Sequence, residues 1–286
     1  IGVTGVQTCA LPIWRAARYG WRDCRPVKRA GPSSAGGLFA PLLPLFDLLP
    51  LAPDLPALAV LGAARELRNA AGRRITFVPP PADDLDYETR IWLTGEVATR
   101  PDNWHDFFNA LVWFAFPLTK AVLNARHAEL RRQQSTLRCR ERDTLTHFDE
   151  CGVAVIAGNP ELLDLVRGFH WRSLFWERRS ELSHGLRCLV FGHATYEQLR
   201  RPFRGLTAKA VLYQVSPDWL DQPLAAQVAD VDRRLAAGFA GRQYLTPRVW
   251  QPLPLLGLPG VTPENESADY YDDQWQFRPG RSRCPV

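Results

Sequence analysis

The clearest pattern of hydrophobic and polar positions lies between Asn103 and His127, an apolar stretch with a few polar side chains. On a helix, which advances about 100° per residue, these polar side chains share about one third of the circumference. The apolar surface is wider than that of a surface helix, so we predict a largely buried central helix. The buried polar stripe must be hydrogen-bonded or face a pocket. It consists of His105, Asp106, Asn109, Lys120, Asn124 and His127.

Pro117 interrupts this stretch, because proline lacks an N–H donor and its ring clashes with the preceding turn. We therefore predict either one kinked helix or two helices that meet near Phe116. Asp102 or Asn103 is a suitable N-cap residue, with Asp106 in the first turn. After His127 the helix is predicted to continue to about Thr136.

The remaining pattern alternates apolar runs with helical periodicity, which favours an α/β or α+β fold. We expect a small mixed sheet packed by helices around the buried central helix, in a single globular domain (38–286) with a Pro-rich C-terminal tail. A second extended segment is expected to follow residues 86–91, and a loop is expected at 95–101. The predicted strands are 75–78, 153–157, 186–191 and 208–215, and the predicted helices are 55–69, 159–168, 171–182, 195–201 and 224–239.

The N-terminal segment carries a different signal. Residues 3–13 resemble the translation of a common sequencing adapter, and the chain contains no Met. We therefore interpret residues 1–13 as a translated adapter artefact and leave them out of the fold. Residues 14–37 form a basic, Gly- and Ser-rich extension, either a disordered arm or spurious translation, and we assign them no role.

Charge, cysteine spacing and apolar run length limit the partners and the cellular location that we expect. The formal net charge is +5, but residues 14–37 supply much of it, so we infer no nucleic-acid partner. The six Cys show no C-x-x-C spacing, which argues against a zinc knuckle or a disulfide framework and favours a cytoplasmic protein. Pro and Asp interrupt the apolar run 38–64, so we predict no membrane span. Oligomeric state is left open.

Several motifs occur in a fixed order over residues 38–280. They include Tyr87-Glu88-x-Arg90-Ile91, Asn103-Trp104-His105-Asp106-x-Phe108-Asn109, Lys120-x-x-x-Asn124-x-x-His127, Phe148-Asp149-Glu150-x-Gly152, Phe191-Gly192-His193-Ala194 and Leu256-Gly257-x-Pro259-Gly260. Together they resemble the bacterial Domain of Unknown Function 3025 family. The family name carries no activity, so the resemblance implies no mechanism. The chain departs from the expected pattern at Val261-Thr262, where aromatic residues would follow Pro259-Gly260.

The candidate chemistry rests on side chains that bind metals or move protons. No H-E-x-x-H spacing, nucleophile elbow or phosphate-binding loop is present. We expect a catalytic pocket formed by His105, Asp106, Asn109, Lys120, His127 and His193. A divalent metal is an open alternative there, with ligands from His105, His127, Asp149, Glu150 and His193.

Two functions are consistent with these residues. The favoured hypothesis is a hydrolase, with metal dependence as an option, that acts on a small-molecule substrate. The alternative is a non-catalytic ligand-binding or interaction protein that uses the same pocket. A purely structural polar seam between core helices is the simplest competing interpretation of the stripe.

Overall fold

The computed structural model describes residues 35–50, 52–132 and 136–280, so the segments 1–13 and 14–34 lie outside the described residues. The fold is mixed α+β. Twelve α-helices occur in the described residues: α1 Ala35–Leu38, α2 Leu43–Phe46, α3 Leu55–Arg65, α4 Tyr87–Thr94, α5 Trp104–Ala115, α6 Pro117–Arg132, α7 Thr136–Cys151, α8 Pro160–Arg167, α9 Arg179–Gly185, α10 His193–Leu199, α11 Pro217–Leu220 and α12 Leu224–Ala240. The strands are β1 Thr76–Val78, β2 Glu96–Ala98, β3 Gly152–Ala157, β4 Leu186–Val190, β5 Thr207–Gln214 and β6 Gln251–Pro254.

The main sheet has the strand order β4-β3-β5-β6. Strand β3 pairs antiparallel with β4 and parallel with β5, and β5 pairs antiparallel with β6. All six residues of β3 are buried, as expected for a central strand covered on both faces. The strands β1 and β2 form a separate parallel pair. The small mixed sheet predicted from the sequence is therefore confirmed.

The central stretch is two helices, one of the two alternatives that Pro117 leaves open in the sequence. Asn103 caps α5, because its side chain accepts a hydrogen bond from the Asp106 N–H at 3.0 Å. Pro117 is the first residue of α6, where its missing N–H costs no helical hydrogen bond. The helices α5 and α6 are bent by 112° relative to each other. In the described part of the chain no single helix is long and apolar enough to cross a membrane, and only this bent pair reaches the required composition.

Four sequence-based boundaries need correction. Residues 87–94 are helical because the Asp86 side chain caps the Thr89 N–H and Gly95 ends the helix with a left-handed φ of 81°. The expected loop at 95–101 contains β2, and the Pro-rich tail contributes β6 to the sheet. The predicted helix 171–182 is a π-helix, Ser173–Glu177, followed by α9. Helix α6 is described to Arg132, and its predicted continuation to about Thr136 falls on residues 133–135, which lie outside the described residues.

Candidate functional site

Asp149 and His193 meet because α7 leads into β3 while β4 leads into α10. The two strands are antiparallel with Val153 opposite Val190, so the start of β3 lies beside the end of β4. The N–H groups of Phe191 and Gly192 both donate to the Gly152 carbonyl, at 2.9 and 2.8 Å. A Cβ atom on Gly192 would lie 2.4 Å from the Glu150 carbonyl oxygen, so glycine allows this close approach.

The buried half of the site is a hydrogen-bonded chain across the four helices α4, α5, α6 and α7. The Lys120 ammonium donates to both Asp149 carboxylate oxygens, at 2.7 and 2.8 Å, and to Asn109 Oδ1 at 2.9 Å. Asn109 Nδ2 donates in turn to the Tyr87 hydroxyl at 2.6 Å. The three ammonium donors are thus all used. Lys120 also lies 5.5 Å from the ring centroid of Trp113, within range of a cation–π contact.

The other half leads from Asp149 towards solvent through two imidazoles. His193 Nδ1 lies 3.6 Å from Asp149 Oδ2, and His193 Nε2 lies 3.0 Å from His105 Nε2. His105 Nδ1 lies 3.1 Å from Glu197 Oε2. Side-chain exposure rises along this chain from 8% at His193 to 34% at His105 and 43% at Glu197. We call Asp149, His193, His105 and Glu197 the relay.

Counting protons shows what the relay can do. Each of its three contacts needs one proton to be a hydrogen bond, whereas two neutral imidazoles carry only two N–H protons. The 3.6 Å contact between His193 and Asp149 is longer than a hydrogen bond. One further proton on His105 supplies the third, because His105 then carries the N–H groups that face Glu197 and His193, and His193 carries its N–H on Nδ1, which faces Asp149. The two imidazoles therefore form a unit that can bind one proton between two carboxylates.

The electrostatics disfavour a charge on His193. Burial, with smaller contributions from Lys120 and His105, lowers the pKa of His193 to about 3 against the opposing effect of Asp149. Burial acts to raise the pKa of Asp149, but the Lys120 ammonium outweighs it and holds that pKa below its usual value. His193 thus stays neutral between a fixed carboxylate and the more exposed imidazole.

Comparison with known protein families gives a match for this chain. A model of the family described as "Protein of unknown function (DUF3025)" matches residues 75–281, which is most of the chain. The chain belongs to this family. All relay residues, and Lys120, Asn109 and Tyr87, lie inside the matched region. No curated protein and no solved structure matches the chain.

In this DUF3025 chain the structure brings together only part of the predicted site. His105, Asn109, Lys120, Asp149 and His193 form one connected network. His127 is buried and helps to lower the pKa of Asp149, yet among the described residues no hydrogen bond joins it to the network. Asn124 points instead to Glu88, donating to its carbonyl at 2.9 Å and its carboxylate at 2.7 Å.

Asp106 and Glu150 face other partners. Asp106 accepts two hydrogen bonds from the Arg100 guanidinium, at 2.8 and 2.9 Å, and one from the Arg100 N–H at 2.8 Å. Glu150 contributes its carbonyl, which accepts from the Thr195 hydroxyl at 3.4 Å. Neither carboxylate joins the relay through a hydrogen bond between described residues. An open cleft of about 290 Å³ lies elsewhere, between Phe169–Ser173 and Tyr271–Pro279, and includes none of the predicted site residues.

Two imidazole nitrogens, Nε2 of His105 and Nε2 of His193, lie in suitable positions to bind a metal ion. Metal-binding imidazoles usually have their second nitrogen beside a carboxylate, which is the arrangement of His105 with Glu197 and of His193 with Asp149. Within residues 35–50, 52–132 and 136–280, however, no group of three or more His, Cys, Asp or Glu side chains has the geometry to hold a metal ion. Asp149 is engaged by Lys120.

Sequence reasoning missed Glu197 and Tyr87. Glu197 lies four residues after His193 on α10, a spacing that places both on the same helix face. That spacing is readable in the sequence once α10 is placed. Tyr87 is the first residue of α4, in a segment that was predicted to lead into extended structure, and its contact with Asn109 depends on the tertiary fold.

Proposed function

We propose that this protein is a hydrolase that uses the relay for general acid–base catalysis. The observation that carries the proposal is the direct contact of two imidazoles between a buried and an exposed carboxylate. Ionisable groups are costly to bury unless they are paired, and strongly shifted pKa values concentrate at functional sites. A structural seam would not need a chain of titratable groups that reaches solvent.

In this proposal His105 is the acid–base residue. With His193 protonated on Nδ1 and donating to Asp149, His105 donates from Nε2 to His193, and its Nδ1 is the basic atom. The exposed Glu197 side chain moves aside for water, and Nδ1 removes a proton from the attacking water molecule. Glu197 then pairs with the imidazolium, which gives this proton to the leaving oxygen as the ester bond breaks. Asp149, held by Lys120, fixes the tautomer of His193, the role that a buried carboxylate has in a catalytic triad.

A metal-dependent version of the same hydrolase is the second candidate. It is favoured by the 3.0 Å separation of the two Nε2 atoms and by the carboxylate behind each ring. A metal there would receive two protein ligands and complete its coordination with water. We favour the metal-free version, because catalytic metal sites usually have three protein ligands.

The test measures hydrolysis of p-nitrophenyl acetate, p-nitrophenyl phosphate and bis-p-nitrophenyl phosphate by the purified full chain, with metal content determined in parallel. We expect His105→Ala to lower the rate at least about 100-fold, the usual contribution of general acid–base catalysis, with an unchanged melting temperature. His105→Gln, which keeps a polar side chain beside His193, should show the same loss. His147→Ala, an exposed histidine on α7, is the matched control and should keep full activity.

Three outcomes decide between the versions. Activity without stoichiometric metal supports the metal-free relay. Stoichiometric metal that disappears in His105→Ala and His193→Ala supports the metal-dependent version. Absence of hydrolysis with all three esters and absence of metal, together with unfolding of His105→Ala, would identify the network as structural and remove the hydrolase proposal.

A further inference from the structure

The exposed end of the relay is flanked by two arginines that are held in place by their neighbours. Arg100 precedes α5, and its side chain is 58% exposed. Arg200 follows α10, with its guanidinium carbon 3.5 Å from the ring centroid of Trp104, the residue before His105. A guanidinium stacked on an indole ring is positioned with little freedom.

Among the residues that the structure describes, the Arg100 guanidinium is bound on one edge. Its Nε and one Nη atom donate to the two oxygens of Asp106, at 2.8 and 2.9 Å. A guanidinium has five N–H donors, so this bidentate contact leaves three of them available. Asp106 foremost, and Glu197 more weakly, raise the pKa of Arg100, which places the guanidinium within electrostatic reach of the relay. The charge of Glu197 is compensated when His105 is protonated.

We infer that the site takes an anionic substrate, an ester that carries a phosphate or carboxylate group, which Arg100 binds beside the reacting bond. This inference rests on the proposed hydrolase function and specifies its substrate class. Guanidinium groups bind phosphate and carboxylate through paired N–H donors in a geometry that an ammonium group does not match. Arg200, the C-cap residue of α10, follows Glu197 by three residues and supplies the second positive charge.

The inference also gives Asp106 a role. The sequence indicated it as a catalytic residue, whereas its carboxylate holds the Arg100 side chain and backbone. Asp106 is therefore a positioning residue. Its loss should weaken anion binding without changing the chemical step, which separates this role from catalysis.

The experiment compares kcat and KM for three esters of one leaving group: neutral p-nitrophenyl acetate, p-nitrophenyl hemisuccinate with a carboxylate, and p-nitrophenyl phosphate. We expect Arg100→Gln and Asp106→Asn to raise KM for the anionic esters about tenfold, the value of a charge-assisted hydrogen bond, with kcat unchanged. Their effect on the neutral ester should stay within about twofold. Arg248→Gln, an exposed arginine at a distant position in the sequence, is the control.

Direct binding separates this inference from the proposed function. Inorganic phosphate and succinate are titrated into the wild-type chain and into Arg100→Gln by calorimetry. Weaker binding of either anion to the variant supports the anion site even where no ester is hydrolysed, and the stronger binder identifies the group. Equal binding to both proteins, or no preference of an active wild type for anionic over neutral ester, would overturn the anion site and leave the relay proposal standing.

Discussion

Two buried carboxylates lie near α6 and serve it in different ways. Asp232, on α12, accepts hydrogen bonds from the Leu118 N–H at 3.0 Å, the Thr119 N–H at 2.8 Å and the Thr119 hydroxyl at 2.7 Å. It thus caps the start of α6 directly after the 112° bend. Asp149 instead binds the ammonium group of Lys120, the residue that follows Thr119, and faces His193.

The pKa shifts of the two carboxylates have opposite directions. Burial raises the pKa of Asp232, and its partners are neutral N–H and O–H donors that only partly offset this. In spite of burial, the Lys120 ammonium holds the pKa of Asp149 below its usual value. All donors around Asp232 belong to the fold, whereas Asp149 connects through titratable groups to solvent. Burial of a carboxylate is therefore no ground for proposing a site, whereas a titratable path to the surface is the ground on which we propose one.

The largest effect is expected when Asp149 loses its counter-ion. Lys120→Met leaves a buried carboxylate unpaired, which should reduce the free energy of unfolding by about 3–5 kcal/mol in urea denaturation. The double variant Lys120→Met/Asp149→Leu should recover much of this loss, because the unpaired charge is removed. Lys209→Met, a half-buried lysine on β5, is the control. A loss below about 1 kcal/mol in Lys120→Met would show that the pair is not desolvated.

A smaller effect is expected at the capping carboxylate. Asp232→Ala leaves the donors at the start of α6 without their acceptor, so we expect a loss of about 2 kcal/mol in the same assay. Ester hydrolysis per folded molecule should be unchanged, whereas Asp149→Asn should lower it by more than tenfold. Loss of hydrolysis in a folded Asp232→Ala protein would contradict the division between the two carboxylates.

The pH dependence of stability should depend on His193. Its folded-state pKa of about 3 lies below that of the unfolded chain, about 6.5. Between these values the unfolded state binds more protons, so stability falls as the pH is lowered, by at most about 1.4 kcal/mol per pH unit. The contribution of Asp149 is lost only at lower pH, below about 3.9. We expect a shallower decline between pH 6.5 and 4.5 in His193→Asn but not in His147→Asn; equal slopes would contradict the low pKa.

The smallest effect on stability is expected at the exposed end of the relay. Glu197→Gln removes a partly exposed ion pair and should change the free energy of unfolding by no more than about 0.5 kcal/mol. Hydrolysis should still fall about tenfold, because the imidazolium of His105 loses its counter-ion. Unchanged hydrolysis in Glu197→Gln would restrict the relay to Asp149, His193 and His105.

Local signals predicted the elements better than the contacts between them. Pro117 and Asn103 specified the break and the start of the central helices, and the apolar run of β3 specified a central strand. The helical phase placed Asn109 and Lys120 on one side, and they do form a hydrogen bond. Because α5 and α6 are bent by 112°, however, a single helical phase does not describe the residues further along α6. His127 was consequently grouped with His105 although no hydrogen bond joins them in the described part of the chain. The pairing of His105 with His193 depends on how α5 packs against α10, which no spacing along the chain encodes.

The central claim is that His105 and His193 share protons as one unit between two carboxylates. The direct test is nitrogen-15 NMR of the imidazole rings in the full chain, titrated from about pH 8 to 5, where histidines change charge. The account predicts that His193 stays neutral over this range and keeps its proton on Nδ1, facing Asp149, in both charge states of His105. If His193 instead carries its proton on Nε2, or becomes charged together with His105, Asp149 does not fix its tautomer and the relay does not exist.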